Sequence, residues 1–244
     1  MEVIPAVDIK GGKCVRLYQG DYLKETVFSE NPVDVAMGWV AQGAGRLHVV
    51  DLDGAASGEL RNIAVVEAIV KRVNLPVQVG GGVRDEATVA KLLDIGVDRV
   101  ILGTIAAEKE NRELVKSLCR KYSEAIVVGI DVRDGRVATR GWLASAWDMN
   151  MAFTALRFAE SVVDLGARRI IYTDIKQDGT LAEPNFDGVI ELVRGVKAKI
   201  IAAGGISKLS HLKKLAEVGV EGAIVGKALY TGDIKLGEAL ALGI

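Results

Sequence analysis

The stretch VGGGVRDEATVAKLLDIGVDRVILGT, residues 79–104, closes a short apolar run with three glycines, Gly80, Gly81 and Gly82. Glycine weakens a strand interior, so three at its end mark a place where bare backbone is wanted. The chain writes nearly the same passage again as AAGGISKLSHLKKLAEVGVEGAIVGK, residues 202–227. Gly81 and Gly204, Gly82 and Gly205, Gly96 and Gly219, Ile101 and Ile224, and Gly103 and Gly226 each lie 123 positions apart in a chain of 244. The same offset joins Asp8 to Asp131, Asp51 to Asp174, Asn62 to Asn185, and Gly43-Ala44 to Gly166-Ala167. Asp8 and Asp131 both end an apolar run, IPAVD and VVGID, and each asparagine precedes a helical pattern.

Working outward, short β-branched runs alternate with longer amphipathic ones. Strands are expected at 3–8, 46–51, 76–80, 99–102, 125–131, 169–174, 199–203 and 222–225, with helical spacing between them, as in ATVAKLLDIG and LVKSLCRKY. Eight strands, each followed by a helix, point to an α/β fold of the (β/α)8 TIM-barrel type. A doubly wound open sheet is the alternative, but it needs no regular half-repeat. No Pro-rich or low-complexity linker divides the chain, and the strongest break in pattern is the connection 133–151. The expectation is one domain, 1–244, made of half-repeats at about 1–123 and 124–244. Strand n then faces strand n + 4, which sets Asp8 opposite Asp131.

Composition narrows the function. With 31 basic against 32 acidic residues the net charge is −1, which makes no electrostatic case for nucleic acid or an anionic membrane. Half of the residues are apolar, enough for a large core. Two cysteines, Cys14 and Cys119, form no disulfide framework, and both are expected to be inert. Neither histidine, His48 or His211, sits in a metal-binding spacing, so no metal is expected. No signal peptide or long apolar span is read, and a soluble cytoplasmic protein is expected.

In a barrel of this kind the active site lies at the carboxyl ends of the strands. Glycines there expose backbone N–H groups, which suit phosphate. One phosphate corner is read at Gly81, Gly82, Gly103 and Thr104, and a second at Gly204, Gly205, Gly226 and Lys227. The plainer alternative is that these glycines serve tight turns alone. Two opposed corners imply a long ligand with a phosphate at each end. Asp8 and Asp131 stand between them, and two carboxylates can divide acid and base work. The plainer alternative for the pair is a role in capping the loops that follow.

The stretches IPAVDIKGGKCVRLYQGD, LHVVDLDGA, VQVGGGVR, VATRGW, YTDIKQDGTLAEPN, AAGGIS and EGAIVGKALY resemble the phosphoribosylformimino-aminoimidazole-carboxamide ribotide isomerases of histidine biosynthesis. The likeness runs almost end to end. It implies a half-repeat barrel that takes a small bisphosphorylated substrate without metal or cofactor, with no obligate protein partner. The implied reaction is an Amadori rearrangement, with Asp131 as acid and Asp8 as base. Thr173 and Asp178 match supporting site positions, although Asp178 also reads as an Asp-Gly turn.

Other residues are open to two readings. His48 has the parity of Ile171 and should point into the barrel, as a core side chain or a substrate contact. Arg16, Arg84 and Arg140 lie near strand ends, within reach of anions. Trp142 is read as stacking on the imidazole or covering the opened sugar, and Trp147 as packing. His211 is expected on a helix and exposed. The stretch LASAWDMNMAF is more apolar than the resemblance leads one to expect. Three rivals stand beside the isomerase: the sister imidazole glycerol phosphate synthase cyclase, which needs a glutaminase partner; an isomerase that also takes phosphoribosyl anthranilate; and a non-catalytic phosphosugar-binding barrel.

Overall fold

A computed structural model of the chain describes residues 1–138 and 154–244. In chain order the described strands are β1 (Glu2–Lys10), β2 (Lys13–Tyr18), β3 (Asp21–Ser29), β4 (Leu47–Asp51), β5 (Val77–Gly80), β6 (Arg99–Leu102), β7 (Ile126–Arg133), β8 (Arg136–Ala138), β9 (Arg169–Asp174), β10 (Lys199–Ala203) and β11 (Gly222–Val225). The α-helices are α1 (Pro32–Ala41), α2 (Leu52–Ser57), α3 (Ile63–Val73), α4 (Glu86–Asp94), α5 (Thr104–Ala107), α6 (Arg112–Tyr122), α7 (Ala155–Asp164), α8 (Phe186–Gly195), α9 (Leu209–Val218), α10 (Lys227–Thr231) and α11 (Leu236–Leu240).

Parallel ladders join β1, β4, β5, β6, β7, β9, β10 and β11 in that order, and β11 returns to β1 through pairs from Glu2–Gly222 to Pro5–Val225. This is a closed (β/α)8 barrel, as the strand count predicts. The eight expected strands all form, with ends shifted by a residue or two. Three more strands were not expected. β2 and β3 make an antiparallel hairpin on the end of β1, and β8 turns back on β7. The signal for the first turn is IKGGKC, where Gly11 and Gly12 take φ of +55° and +76°. A two-glycine turn at positive φ is a hairpin turn.

Alternation along the strands divides the core in two. Leu47 and Val49 on β4, and Val128 and Ile130 on β7, face outward to the helices, as does Tyr172 on β9. Ile4, Ala6, Ile101, Val127, Ile171, Ile201 and Ile224 face inward and fill the barrel. Full burial of each large one contributes roughly 1.5–3 kcal/mol. Above that layer the same parity turns Asp8, His48, Asp131 and Thr173 into the mouth.

Local chemistry starts each helix where the ring needs it. The side chains of Asn31, Asp85 and Thr154 accept from the backbone N–H of Val33, Thr88 and Arg157, capping α1, α4 and α7. Pro32 opens α1, where its missing N–H costs nothing. At the opposite, N-terminal face of the barrel, Arg46 joins Glu2 and Asp98, and Arg169 joins Glu221 and Glu124. Arg46 and Arg169 are both buried, so this ionic cluster closes the floor. No described helix is long and apolar enough to cross a membrane.

Candidate active site

A cavity of about 160 Å³ opens at the carboxyl ends of the strands. It brings together Asp8, Arg16, His48, Arg84, Asp131, Thr173 and Asp178 with Gly81, Gly82, Gly103 and Thr104. A smaller recess of about 30 Å³ adjoins it, lined by Arg16, Asp178, Gly204, Gly205, Gly226 and Lys227. The glycines of the first corner thus line the cavity that holds both aspartates, and those of the second line the adjoining recess, which shares Arg16 and Asp178 with it. Arg140 and Trp142 lie outside the described residues, as do Trp147, Met149 and Met151.

The paired glycines have a packing reason beyond any ligand. Gly82 and Gly205 take φ of +74° and +75°. A Cβ there would lie 2.6 Å from the Glu59 carbonyl carbon and the Glu183 carbonyl oxygen respectively. Gly81 and Gly204 likewise press on the backbone of Asp51 and Asp174. Those aspartates anchor the loops. Asp51 accepts from the N–H groups of Gly54, Arg61 and Asn62 at 2.7–2.8 Å, and Asn62 Nδ2 donates to it at 2.7 Å. Asn185 Nδ2 donates to Asp174 at 2.9 Å in the other half. The glycines thus lock strand ends against anchored loops, and that leaves the corners open.

Asp8 ends the barrel part of β1 and meets Arg16, from β2, with Nη1 of the arginine 2.7 Å from its Oδ2. Burial pushes the Asp8 carboxyl up to about 6; Arg16 pulls it back and Asp178 adds to the rise. Burial also raises Asp178, while Arg16, the Gly179 N–H and Lys227 oppose it. Asp131 stands on β7, paired in register with Thr173 on β9. A carboxylate near 6 is a base tuned toward neutral pH.

His48 does face the cavity. Its Nδ1 is 3.0 Å from Nε2 of Gln78, its register partner on β5. Burial, and then Arg16, push its pKa down to about 3, so the ring is neutral. Arg84 reaches the first corner with Nη1 3.1 Å from Glu108. Lys227 donates to the Gly179 carbonyl at 2.8 Å.

Three features were missed in the sequence. Tyr22, on β3, lines the cavity and donates to the Leu52 carbonyl at 3.0 Å. Tyr230 donates to the Ala6 carbonyl at 2.7 Å and lies beneath Arg16. The hairpin tip is tied across the mouth: Gln19 N–H donates to Asp178 O at 3.0 Å, and Arg133 Nη2 to Gln19 O at 3.0 Å. One expectation needs correction. His211 is on α9 but buried, because its ring stands edge-on to Phe186 and its Nδ1 accepts from the Ser207 N–H. Burial also raises both thiols, Cys119 to about 11, in keeping with inert cysteines.

The fold and mouth define a class: a closed (β/α)8 barrel with an acidic pair between two backbone-lined recesses. Residues 2–235 match the family described as "Histidine biosynthesis protein", and the chain belongs to it. A relative from Dehalococcoides mccartyi (strain CBDB1) is 54% identical over 239 residues, covering 98% of this chain and 95% of the relative. One from Roseiflexus sp. (strain RS-1) is 53% identical over 241 residues, 99% of each. One from Chloroflexus aggregans is 52% identical over 242 residues, 99% of this chain and 98% of the relative. Each is named as an imidazole-4-carboxamide isomerase, and the compound in its name carries two phosphoribosyl groups.

Proposed function

We propose that the chain is the histidine-biosynthesis isomerase for which these relatives are named. It converts the bisphosphorylated aminoimidazole carboxamide aldose into the corresponding ketose, acting in the cytoplasm as a single domain of two half-barrels. The observation that carries this reading is the placement of Asp8 and Asp131 in one cavity, flanked by the two glycine corners.

The roles of the residues are those that the family resemblance implies, and those positions support them. Asp131 gives a proton to the ribose ring oxygen as the bond from C1 to that oxygen breaks. The exocyclic nitrogen lone pair forms the Schiff base. Asp8 then takes the proton from C2, and its electron pair moves into an enolamine. Return of a proton to C1 and loss of the hydroxyl proton give the aminoketose. Each acid or base is worth roughly 10²–10⁴-fold in rate. Gly81, Gly82, Gly103 and Thr104, with Arg84, hold one phosphate. Gly204, Gly205, Gly226 and Lys227 hold the other. Thr173 and Asp178 hold the opened sugar, and neutral His48 donates to a sugar oxygen. Arg16 orients Asp8, and Trp142 is assigned to covering the substrate from the sequence alone.

The test is turnover of purified protein with the bisphosphorylated substrate, and separately with phosphoribosyl anthranilate. Conversion of the first is expected. Absence of conversion by folded protein overturns the assignment, and turnover of the second widens the substrate range.

A further inference from the structure

Arg16 belongs to two places at once. Its Nη1 holds Oδ2 of Asp8 at 2.7 Å. Its Nη2 occupies the space that a Cβ on Gly226 would need. The guanidinium therefore lines both the main cavity and the recess at the second corner. Gly103, at the matching place in the first corner, has no atom of the described residues within 4 Å of its Cβ position. The Arg16 side chain is only 8% exposed, so the guanidinium stands in the corner and not in solvent.

Among the described residues, the groups facing Asp8 are Arg16 and Cys14 from β2, Tyr22 from β3, Asp178 from the loop after β9, and Tyr230 from α10. Asp131 faces the Tyr22 hydroxyl from β7. Among these Arg16 is the cation, and its charge favours ionised Asp8. A phosphate dianion is the stronger partner for a guanidinium, because it carries more charge and accepts two parallel N–H bonds.

We propose that Arg16 is a positioning residue that couples the second corner to Asp8: a phosphate seated at Gly204, Gly205, Gly226 and Lys227 draws the guanidinium from the carboxylate and makes Asp8 the stronger base. The proposal rests on reading that corner as a phosphate site. Its physical content is a change in charge balance. Without phosphate, Asp8 shares a nearly buried ion pair. With phosphate, the positive charge is divided and a new negative charge stands behind it. Both changes favour the protonated carboxyl, so the affinity of Asp8 for a proton rises when this end of the substrate is bound.

The experiment is an NMR pH titration of the Asp8 side-chain carboxyl carbon in intact protein, with and without saturating inorganic phosphate. The backbone amides of Gly205, Gly226 and Lys227 report occupancy of the corner. Expected are moved amides and an upward shift of Asp8 by about half a pH unit or more. In Arg16→Met, Asp8 should start higher, and phosphate should move it by less than half as much. Moved amides with an unmoved Asp8 titration overturn the coupling and leave the phosphate corner standing. Unmoved amides overturn the corner, and the coupling with it. An equal phosphate shift in Arg16→Met and the parent also overturns the coupling, since Arg16 then carries none of it. Well-dispersed spectra of Arg16→Met with parental Cβ shifts establish that the variant is folded, and Arg16→Lys should restore part of the shift.

Discussion

Asp8 and Asp131 stand on β1 and β7 with three barrel strands between them on either side, so the two carboxylates face each other across the mouth. A substrate lying between them meets one carboxyl on each side. Asp8→Asn should therefore block removal of the C2 proton while ring opening continues. Asp131→Asn should impair ring opening itself. Each should lower kcat by roughly 10²–10⁴-fold with substrate affinity within a few-fold of the parent. Single-turnover kinetics with deuterium at C2 checks this. Near-parental turnover in either variant removes that residue from the mechanism.

The raised Asp8 carboxyl has two consequences for pH. The base must be ionised, so kcat/KM should rise with pH through about 6 on its acid side. Stability should move the other way. Asp8 titrates near 6 folded, against an ordinary 3.8, so the folded state binds this proton more tightly. The contribution is fully present below pH 4 and is lost as pH rises through 6, by up to about 3 kcal/mol. The stability difference between parent and Asp8→Asn, measured by denaturant unfolding from pH 4 to 7, reads it directly. A parent that gains stability over Asp8→Asn as pH rises contradicts the burial of Asp8.

His48 should contribute nothing to that pH profile. Held near 3, its ring is neutral throughout the working range. His48→Gln should lower kcat/KM by about 10-fold, the worth of one hydrogen bond to substrate. The acid limb should stay where it is. A limb that disappears in the variant assigns the titration to His48 instead of Asp8.

The two kinds of glycine should separate experimentally. Gly82→Ala sets a Cβ 2.6 Å from the Glu59 carbonyl carbon at positive φ and should destabilise the fold by about 2 kcal/mol or more. Gly103→Ala meets no atom of the described residues within 4 Å and should cost less stability while weakening substrate binding. Thermal unfolding and KM measured side by side test the contrast. Equal losses of stability would remove it.

At the barrel floor, Arg169→Leu should cost about 1.5–3 kcal/mol, because half-buried Glu221 loses its closest charged hydrogen bonds and keeps only the longer contacts to Arg99 and Lys199. KM should hardly change, since this face is remote from the mouth. A change in KM without a change in unfolding midpoint would reverse the assignment of roles.

The ring was legible because its signals are local and repeated. Apolar parity placed His48, Ile171 and Thr173 on the inner face, and the glycine pairs marked strand ends. The hairpin was not legible, because β3 is largely exposed and lacks clean alternation over Asp21–Ser29. Tyr22 went unnoticed with it. His211 was misread because one turn of α9 packs against Phe186, which a helix pattern alone does not reveal. The pairing of Arg84 with Glu108 joins residues 24 apart and has no sequence signature.

The contrast between Gly226 and Gly103 has a consequence for direction. A ring whose halves share an offset of 123 would receive a two-ended molecule equally well either way round. The sequence breaks that tie: at this offset Arg16 answers to Thr139, Lys227 to Thr104, and Arg84 to Ser207. One end of the groove thus offers a lysine and a crossing guanidinium, and the other an arginine already shared with Glu108. A molecule whose two phosphoribosyl ends differ in the group they are attached to can then be told head from tail before any bond is broken. On the proposed function, only the orientation that sets the ribosylamino end between Asp8 and Asp131 is productive.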